Sequence, residues 1–147
     1  GKSTSLPMMM GWQAEGSAPI VKGHVVASPE TVATAIRIGN PASWEQAVRA
    51  SEESSGAIDC VSDDEILDAH RLLARTEGIF VEPASAAGIA GIVKSHSRGV
   101  ILPESTVVVT VTGHGLKDPG IAIENAKASS VVVEPNIQSV LDAIGME

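Results

Sequence analysis

The chain has 147 residues, 44% of them apolar, and a mean hydropathy of +0.18, which is enough to bury a core and excludes a disordered segment. Its formal net charge of −8, from 10 Lys and Arg against 18 Asp and Glu, excludes a phosphate-gripping nucleic-acid surface and a basic membrane-surface patch. No apolar run approaches the roughly 20 residues of a membrane span, no signal peptide is visible, and the single cysteine, Cys60, forbids an intrachain disulfide and fits a reducing cytoplasm.

Aromatic residues make up only 2%, with no Tyr, so the core must come from Val, Ile, Leu, Ala and Met. That composition suits closely packed α/β layers. The opening GKSTSLPMMM holds no element of its own and starts on Gly1, which reads as a position inside a longer protein. A strand is expected near Met8–Gln13, then a turn or short helix at Ala14–Ile20 and loop to Val26. Pro29–Ile38 reads as a short helix with Ser28 as N-cap and Pro29 in its first position, broken by Gly39-Asn40-Pro41. Ser43–Ser55 reads as a helix in which Ser43 and Gln46 match a capping box, with Gly56 as the stop.

Ala57–Val61 is a short strand-like run. Ser62 and Glu65 form a second capping-box pattern, and Asp63 and Asp64 suit the positive end of the helix that follows. Ile66, Leu67, Leu73 and Ala74 recur at helical spacing, and Gly78 closes the helix. Ile79-Phe80-Val81 is expected as a short buried strand, Glu82-Pro83-Ala84 as a tight turn, and Ser85–His96 as a small-residue helix with Ser85 as its N-cap. Thr106–Val111 is the strongest strand signal, a β-branched run of the kind buried on both faces of a parallel sheet. Thr112-Gly113-His114-Gly115 ends it. Val131–Val133 is strand-like, and Asn136–Ile144 is a last helix. The alternation gives an α/β fold, a mainly parallel sheet with flanking helices.

In such a sheet ligands bind beyond the carboxyl ends of strands. Gly39-Asn40-Pro41, Glu82-Pro83-Ala84-Ser85 and Thr112-Gly113-His114-Gly115 hold such positions. The stretches around them, IRIGNPASWEQAV, SDDEILDAHRLLARTEGIFVEPASAAGIAG and TVVVTVTGHGLKDP, resemble the threonine synthase family in order and spacing, from Ser3 to Pro119. The Glu-Pro turn is widespread among pyridoxal-phosphate enzymes of the tryptophan-synthase β fold. RIGNPASW and VTGHGLKD point more narrowly to threonine synthases.

The resemblance implies a fold whose two α/β domains clamp pyridoxal 5'-phosphate. Residues 1–127 would be the C-terminal part of its larger domain, and 128–147 a tail with a short strand and helix. It implies a Schiff-base lysine and a Gly-rich phosphate loop upstream, so that no catalytic residue falls in this chain and the chain alone is inactive. The reaction implied for the parent enzyme is conversion of O-phospho-L-homoserine and water to L-threonine and phosphate, in the cytoplasm. The implied partners are that substrate and the upstream half, with a homodimer allowed. Two alternatives stand beside it: a threonine or serine dehydratase-like lyase, and a non-catalytic pseudoenzyme or interaction domain.

Residue by residue, the resemblance places the Thr112 hydroxyl beside the pyridine nitrogen of the cofactor, with Gly113 and Gly115 letting the backbone approach the ring. A neutral hydroxyl there tunes the electron sink without an ion pair. Gly39, and less directly Asn40, would line the cofactor. Glu82 would touch it or orient the apparatus, unless its carboxylate is satisfied by helix N-terminal amides. His114 and Lys117 read as solvent-side loop residues, His70 as a packed histidine, and His24 and His96 as surface residues. The histidines and Cys60 show no metal-ligand spacing, so no metal is expected. No G-x-S-x-G elbow occurs, and Asp59, Asp63 and Asp64 around Cys60 disfavour a thiolate nucleophile. An exposed apolar surface is expected wherever the sheet and cleft lack their cover.

Overall fold

The computed structural model describes residues 10–14, 27–125 and 131–146. Among them the one sheet is two-stranded and parallel: β1 (Met10–Ala14) pairs with β2 (Ala57–Val61), with Met10 opposite Ala57 and Ala14 opposite Val61. The α-helices among these residues are, in order, α1 (Trp44–Glu53), α2 (Asp63–Glu77), α3 (Pro83–Ser97), α4 (Pro119–Asn125) and α5 (Ile137–Ile144). Short 3-10 turns lie at Thr34–Ile36 and Gly115–Lys117. The β1–β2–helix arrangement is the expected α/β fold with parallel pairing. Most of Ala14–Ile20, and His24, lie outside the described residues.

α2 is built as its sequence specifies. The Ser62 hydroxyl accepts from Glu65 N, the Glu65 carboxylate accepts from Ser62 N at 2.7 Å, and Gly78 leaves the helix at φ 67°, a conformation glycine adopts without a Cβ clash. α3 packs along α2 and against both strands. Its buried face is Ala86, Ala87 and Ala90, meeting Val61, Ile66, Ala69 and Leu73. Alanines let the two helices approach closely, and Gly88 does the same for the next segment, since a Cβ there would lie 3.1 Å from Val109 Cγ1. Ala74, counted on the apolar face by spacing, is exposed instead.

Lys94 of α3 staples three elements. Its ammonium donates to the Cys60 carbonyl at 3.0 Å and to the Glu65 carboxylate at 2.9 Å. For Glu65 burial works against the charge, but the Ser62 amide and the Lys94 ammonium outweigh it and hold the carboxyl below its ordinary 4.5. A second polar junction docks α4 on α2. Asn125 is buried, donating to the Leu67 carbonyl at 3.3 Å and to His70 Nδ1 at 3.4 Å, while its carbonyl accepts from Arg71. The other ring nitrogen of His70 donates to the Val81 carbonyl at 2.9 Å, so His70 is the packed histidine its helix position implies.

Five expected features take another form. The Pro29–Ile38 helix shrinks to the Thr34–Ile36 turn, because side chains capture the backbone groups a helix would use. Thr31 Oγ1 accepts from Ala33 N, Asp63 Oδ2 accepts from Val32 N at 3.1 Å, and Arg37 Nε donates to the Thr31 carbonyl at 3.0 Å. The Ser43 capping box is not formed: at φ −116° and ψ 30°, Ser43 lacks the extended conformation a cap requires. Ile79-Phe80-Val81 reduces to one antiparallel bridge, Val81 to His114, with Ile79 exposed. Thr106–Val111 and Val131–Val133 join no sheet among the described residues, and Val108 is 89% exposed. A strand holds its shape through ladder partners on its edges, and none is described for either run. Val107, Val108, Val111 and Val131–Val133, like Leu102 and Val93, are exposed apolar side chains.

Candidate functional site

Two turns converge where the Val81–His114 bridge ties the start of α3 to the Thr112–Gly115 loop. Glu82 N donates to the Gly113 carbonyl at 2.9 Å, and Gly115 N donates to the Phe80 carbonyl at 3.2 Å. The approach is close enough to dictate glycine twice. A Cβ on Gly113 would stand 1.7 Å from Glu82 Oε1, and one on Gly115 would stand 2.4 Å from Phe80 Cζ. The Phe80 ring meets the His114 ring edge-on, with centroids 5.7 Å apart.

Ser85 holds the loop from below. Its hydroxyl accepts from Gly113 N at 2.7 Å and from Thr112 N at 3.2 Å, and lies 3.3 Å from Thr112 Oγ1. Ser85 is buried, while Thr112 is exposed. Ser85 therefore is not the N-cap. Pro83 takes the first helical position, so Glu82 occupies the cap and Ser85 lies in the first turn, facing the loop. Pro83 was the missed signal, since proline favours the first helical position and puts the cap at the residue before it.

Glu82 is the second correction to a bland reading. Its carboxylate accepts from no helix amide among the described residues. It pairs with Lys117 Nζ at 3.3 Å, an ammonium that is 62% exposed opposite a carboxylate that is 8% exposed. Lys117 is thus a loop lysine, as expected, that also reaches the site. His114 is exposed, its Nδ1 accepting from Leu116 N.

The structure brings Glu82, Ser85, Thr112 and Gly113 into one cluster. Gly39 and Asn40 lie in a bend beyond it, with no hydrogen bond to the cluster among the described residues. The nearest tie from their side is Thr34 Oγ1, which donates to Asp118 Oδ2 at 2.9 Å and so docks the turn before Gly39 on the end of the loop. A cavity of about 890 Å³ lies elsewhere, between α2 and α3, lined by residues such as Arg71, Leu72, Phe80, Val93 and Lys94.

Residues 2–113 match the family model described as pyridoxal-phosphate dependent enzyme. The chain belongs to this family. It is 54% identical over 143 residues to a threonine synthase of Bacillus sp. (strain ULM1), covering 97% of this chain and 41% of that protein. It is 49% identical over 146 residues to the threonine synthase of Synechocystis sp. (strain ATCC 27184 / PCC 6803 / Kazusa), covering 99% and 38%. The chain thus spans about two-fifths of the length of the curated relatives it matches. Among solved structures it resembles a fungal L-serine ammonia-lyase from Rhizomucor miehei, with TM-score 0.54 and 24% identity over 71% of this chain and 36% of that one. It also resembles the T.th. threonine deaminase, with TM-score 0.53 and 23% identity over 62% and 35%. At that identity the two structures establish the shared fold alone.

The clustered residues fit one edge of the family's cofactor. A pyridine ring needs a partner at its nitrogen and a backbone free of side chains against its plane. Thr112 is an exposed residue that carries a neutral hydroxyl, and the adjoining glycines let its loop lie close against Glu82 and Phe80.

Proposed function

We propose that this chain is the cofactor-ring wall of a threonine synthase, completed by the polypeptide encoded ahead of it. The whole enzyme would take O-phospho-L-homoserine and water to L-threonine and phosphate in the cytoplasm. The observation that carries the reading is the Thr112–Gly113 turn, whose amides the buried Ser85 hydroxyl pins while Thr112 itself stays exposed. High identity to proteins named threonine synthase supports the choice of reaction.

Bound pyridoxal phosphate would supply an electron sink for the carbanion formed when protons leave the substrate. The chain's own residues would do three things. Thr112 would hydrogen-bond the ring nitrogen without the fixed charge of a carboxylate. Gly113 and Gly115 would seat the loop against Glu82 and Phe80, and so set where Thr112 stands. Glu82, held by Lys117, would set a buried negative charge near the ring edge. Gly39 would line the ring from the neighbouring turn. The Schiff-base lysine and the phosphate cradle belong, on this reading, to the preceding polypeptide, so this chain alone is inactive. The division into 1–127 and a tail of 128–147 is part of this reading, and it is supported by α5, which has no buried residue.

The test is threonine and phosphate release from O-phospho-L-homoserine with added pyridoxal phosphate, using this chain alone and co-expressed with the upstream coding region. Activity in the co-expressed sample only, and lost in Thr112→Val, is the expected result. Turnover of threonine or serine to a keto acid instead, with none from the phosphorylated substrate, would move the reading to a dehydratase. A coding sequence that starts near Gly1 and yields no activity would leave a non-catalytic domain.

A further inference from the structure

From the hydrogen bonds beneath Thr112 we infer that Ser85 is a positioning residue: it fixes which way the Thr112 hydroxyl points its proton. The inference rests on the proposed placement of Thr112 at the ring nitrogen. It adds a direction to that contact, and a second residue on which the contact depends.

Ser85 Oγ has one proton to give and two lone pairs to fill. The lone pairs are taken by the amides of Gly113, at 2.7 Å, and Thr112, at 3.2 Å. Two oxygens lie near enough for the proton, the Gly113 carbonyl at 3.4 Å and Thr112 Oγ1 at 3.3 Å. The Gly113 carbonyl already accepts from Glu82 N at 2.9 Å and so has one lone pair left, in the longer of the two contacts. Thr112 Oγ1 has no other protein partner among the described residues. With both Ser85 lone pairs filled and Thr112 Oγ1 the nearer acceptor, the Ser85 proton is assigned to Thr112 Oγ1.

A hydroxyl that accepts from below has its own proton free to donate above. Thr112 is an exposed residue, so that proton is open to a partner. The pair Ser85 to Thr112 is thus a short directed relay that ends in an outward O–H donor. Such a donor favours an unprotonated pyridine nitrogen, because a protonated one would itself need an acceptor. The same two Ser85 lone pairs fix the loop backbone, so orientation of the side chain and position of its Cα are set by one buried atom. Glu82, His114, Lys117 and Asp118 are the charged or titratable groups that share this loop, and their side chains bond elsewhere, Glu82 to Lys117, His114 to Leu116 N and Asp118 to Thr34.

The experiment uses the co-expressed enzyme loaded with pyridoxal phosphate and follows the pH titration of the cofactor's absorption band beside kcat and KM. Ser85→Ala, Ser85→Thr, Ser85→Cys and Thr112→Val are compared with the parent. The expected result is a titration displaced by about one pH unit in Ser85→Ala, in the same direction as Thr112→Val. Alongside it we expect a kcat lowered about tenfold, KM nearly unchanged, and restoration in Ser85→Thr. If Ser85→Ala does not fold, the Cys variant, close in size and a weak donor, must show the same displacement. A displacement in Thr112→Val without one in Ser85→Ala or Ser85→Cys overturns the relay and leaves the site reading standing. No displacement in any variant overturns the placement of Thr112 itself.

Discussion

Between Val61 and Ser95 a core forms: Val61, Ile66, Leu73, Ala86 and Ala90 pack together where α2 meets α3, although Leu72, Ile79 and Val93 stay exposed. Between Val100 and Val111, and again from Val131 to Ile144, an equally apolar sequence lies outside, with Val132 at 98% exposure. Composition does not separate the two regions. What separates them is a facing element. α2 carries a cap at each end, a stripe of apolar residues and a helix of alanines to receive it. The β-branched runs carry only the pattern of a strand, and a strand without ladder neighbours has nowhere to place either face. Burial is a property of the pair, and the second region shows one member of each pair.

The contrast between the regions is sharpest when a cavity is made in the first. Ile66 is fully buried, so Ile66→Ala should cost about 3 kcal/mol, in the range for deleting a core side chain without collapse of the site. Val108→Ser, on the exposed run, should change stability by less than about 0.5 kcal/mol. Urea unfolding midpoints of the two variants decide the matter. A Val108→Ser loss near that of Ile66→Ala would mean the second region is covered in solution.

The site joins the first region, through Glu82 and Ser85, to the loop that follows Val111, and is the next sharpest test. Gly113→Ala puts a methyl where the Glu82 carboxylate stands, and both Glu82 and the loop backbone are held by hydrogen bonds. A loss of about 2 kcal/mol is expected, as for overpacking of a filled interior. Gly113→Ala combined with Glu82→Ala should lose less than the sum of the single variants, by about 1 kcal/mol, because they share one space. Strict additivity in a double-mutant cycle would count against the contact.

How much of this was legible depended on whether a signal was local. The cap at Ser62, the stop at Gly78, the strand Ala57–Val61 and the last helix from Asn136 are each specified by residues within a few positions. Each formed as its sequence implies. The PETVATAIRI helix failed because its competitor, Asp63, lies about thirty residues away and is invisible to a local pattern. Of the site, the turn residues Glu82, Thr112 and Gly113 were legible from motif likeness. Their mutual contact was not, and neither was the role of Ser85, since both arise from a loop meeting a helix start across the fold. Gly39 was named from the same likeness, and the structure ties only its neighbouring turn to the loop.

The same motif read twice gives a smaller, cleaner contrast. Ser62 and Ser43 are each followed three residues on by a partner able to complete a capping box, yet only Ser62 forms it. Ser62→Ala should cost about 1 kcal/mol, the usual worth of an N-cap, while Ser43→Ala should cost no more than a few tenths, about 0.3 kcal/mol. Thermal unfolding resolves the difference. Equal losses would mean that Ser43 adopts an extended cap conformation in solution.

The smallest effect lies at the Glu65–Lys94 staple, and pH reads it. The folded carboxyl is held below its ordinary 4.5, with burial opposing and the Ser62 amide and Lys94 ammonium prevailing. A lowered folded pKa means that the unfolded chain binds the proton more readily. The contribution is therefore fully present above 4.5 and is lost as pH falls through the lower folded value. The Glu65 side chain is 39% exposed, so solvent screening keeps the effect modest. Glu65→Gln keeps the shape and removes the titration. Its stability should lie below the parent near neutrality and converge on it toward roughly pH 3, below the ordinary carboxylate range. Divergence in acid, or parallel curves throughout, would place the acid-sensitive charge elsewhere than on the helix pair that holds the covered half of this chain together.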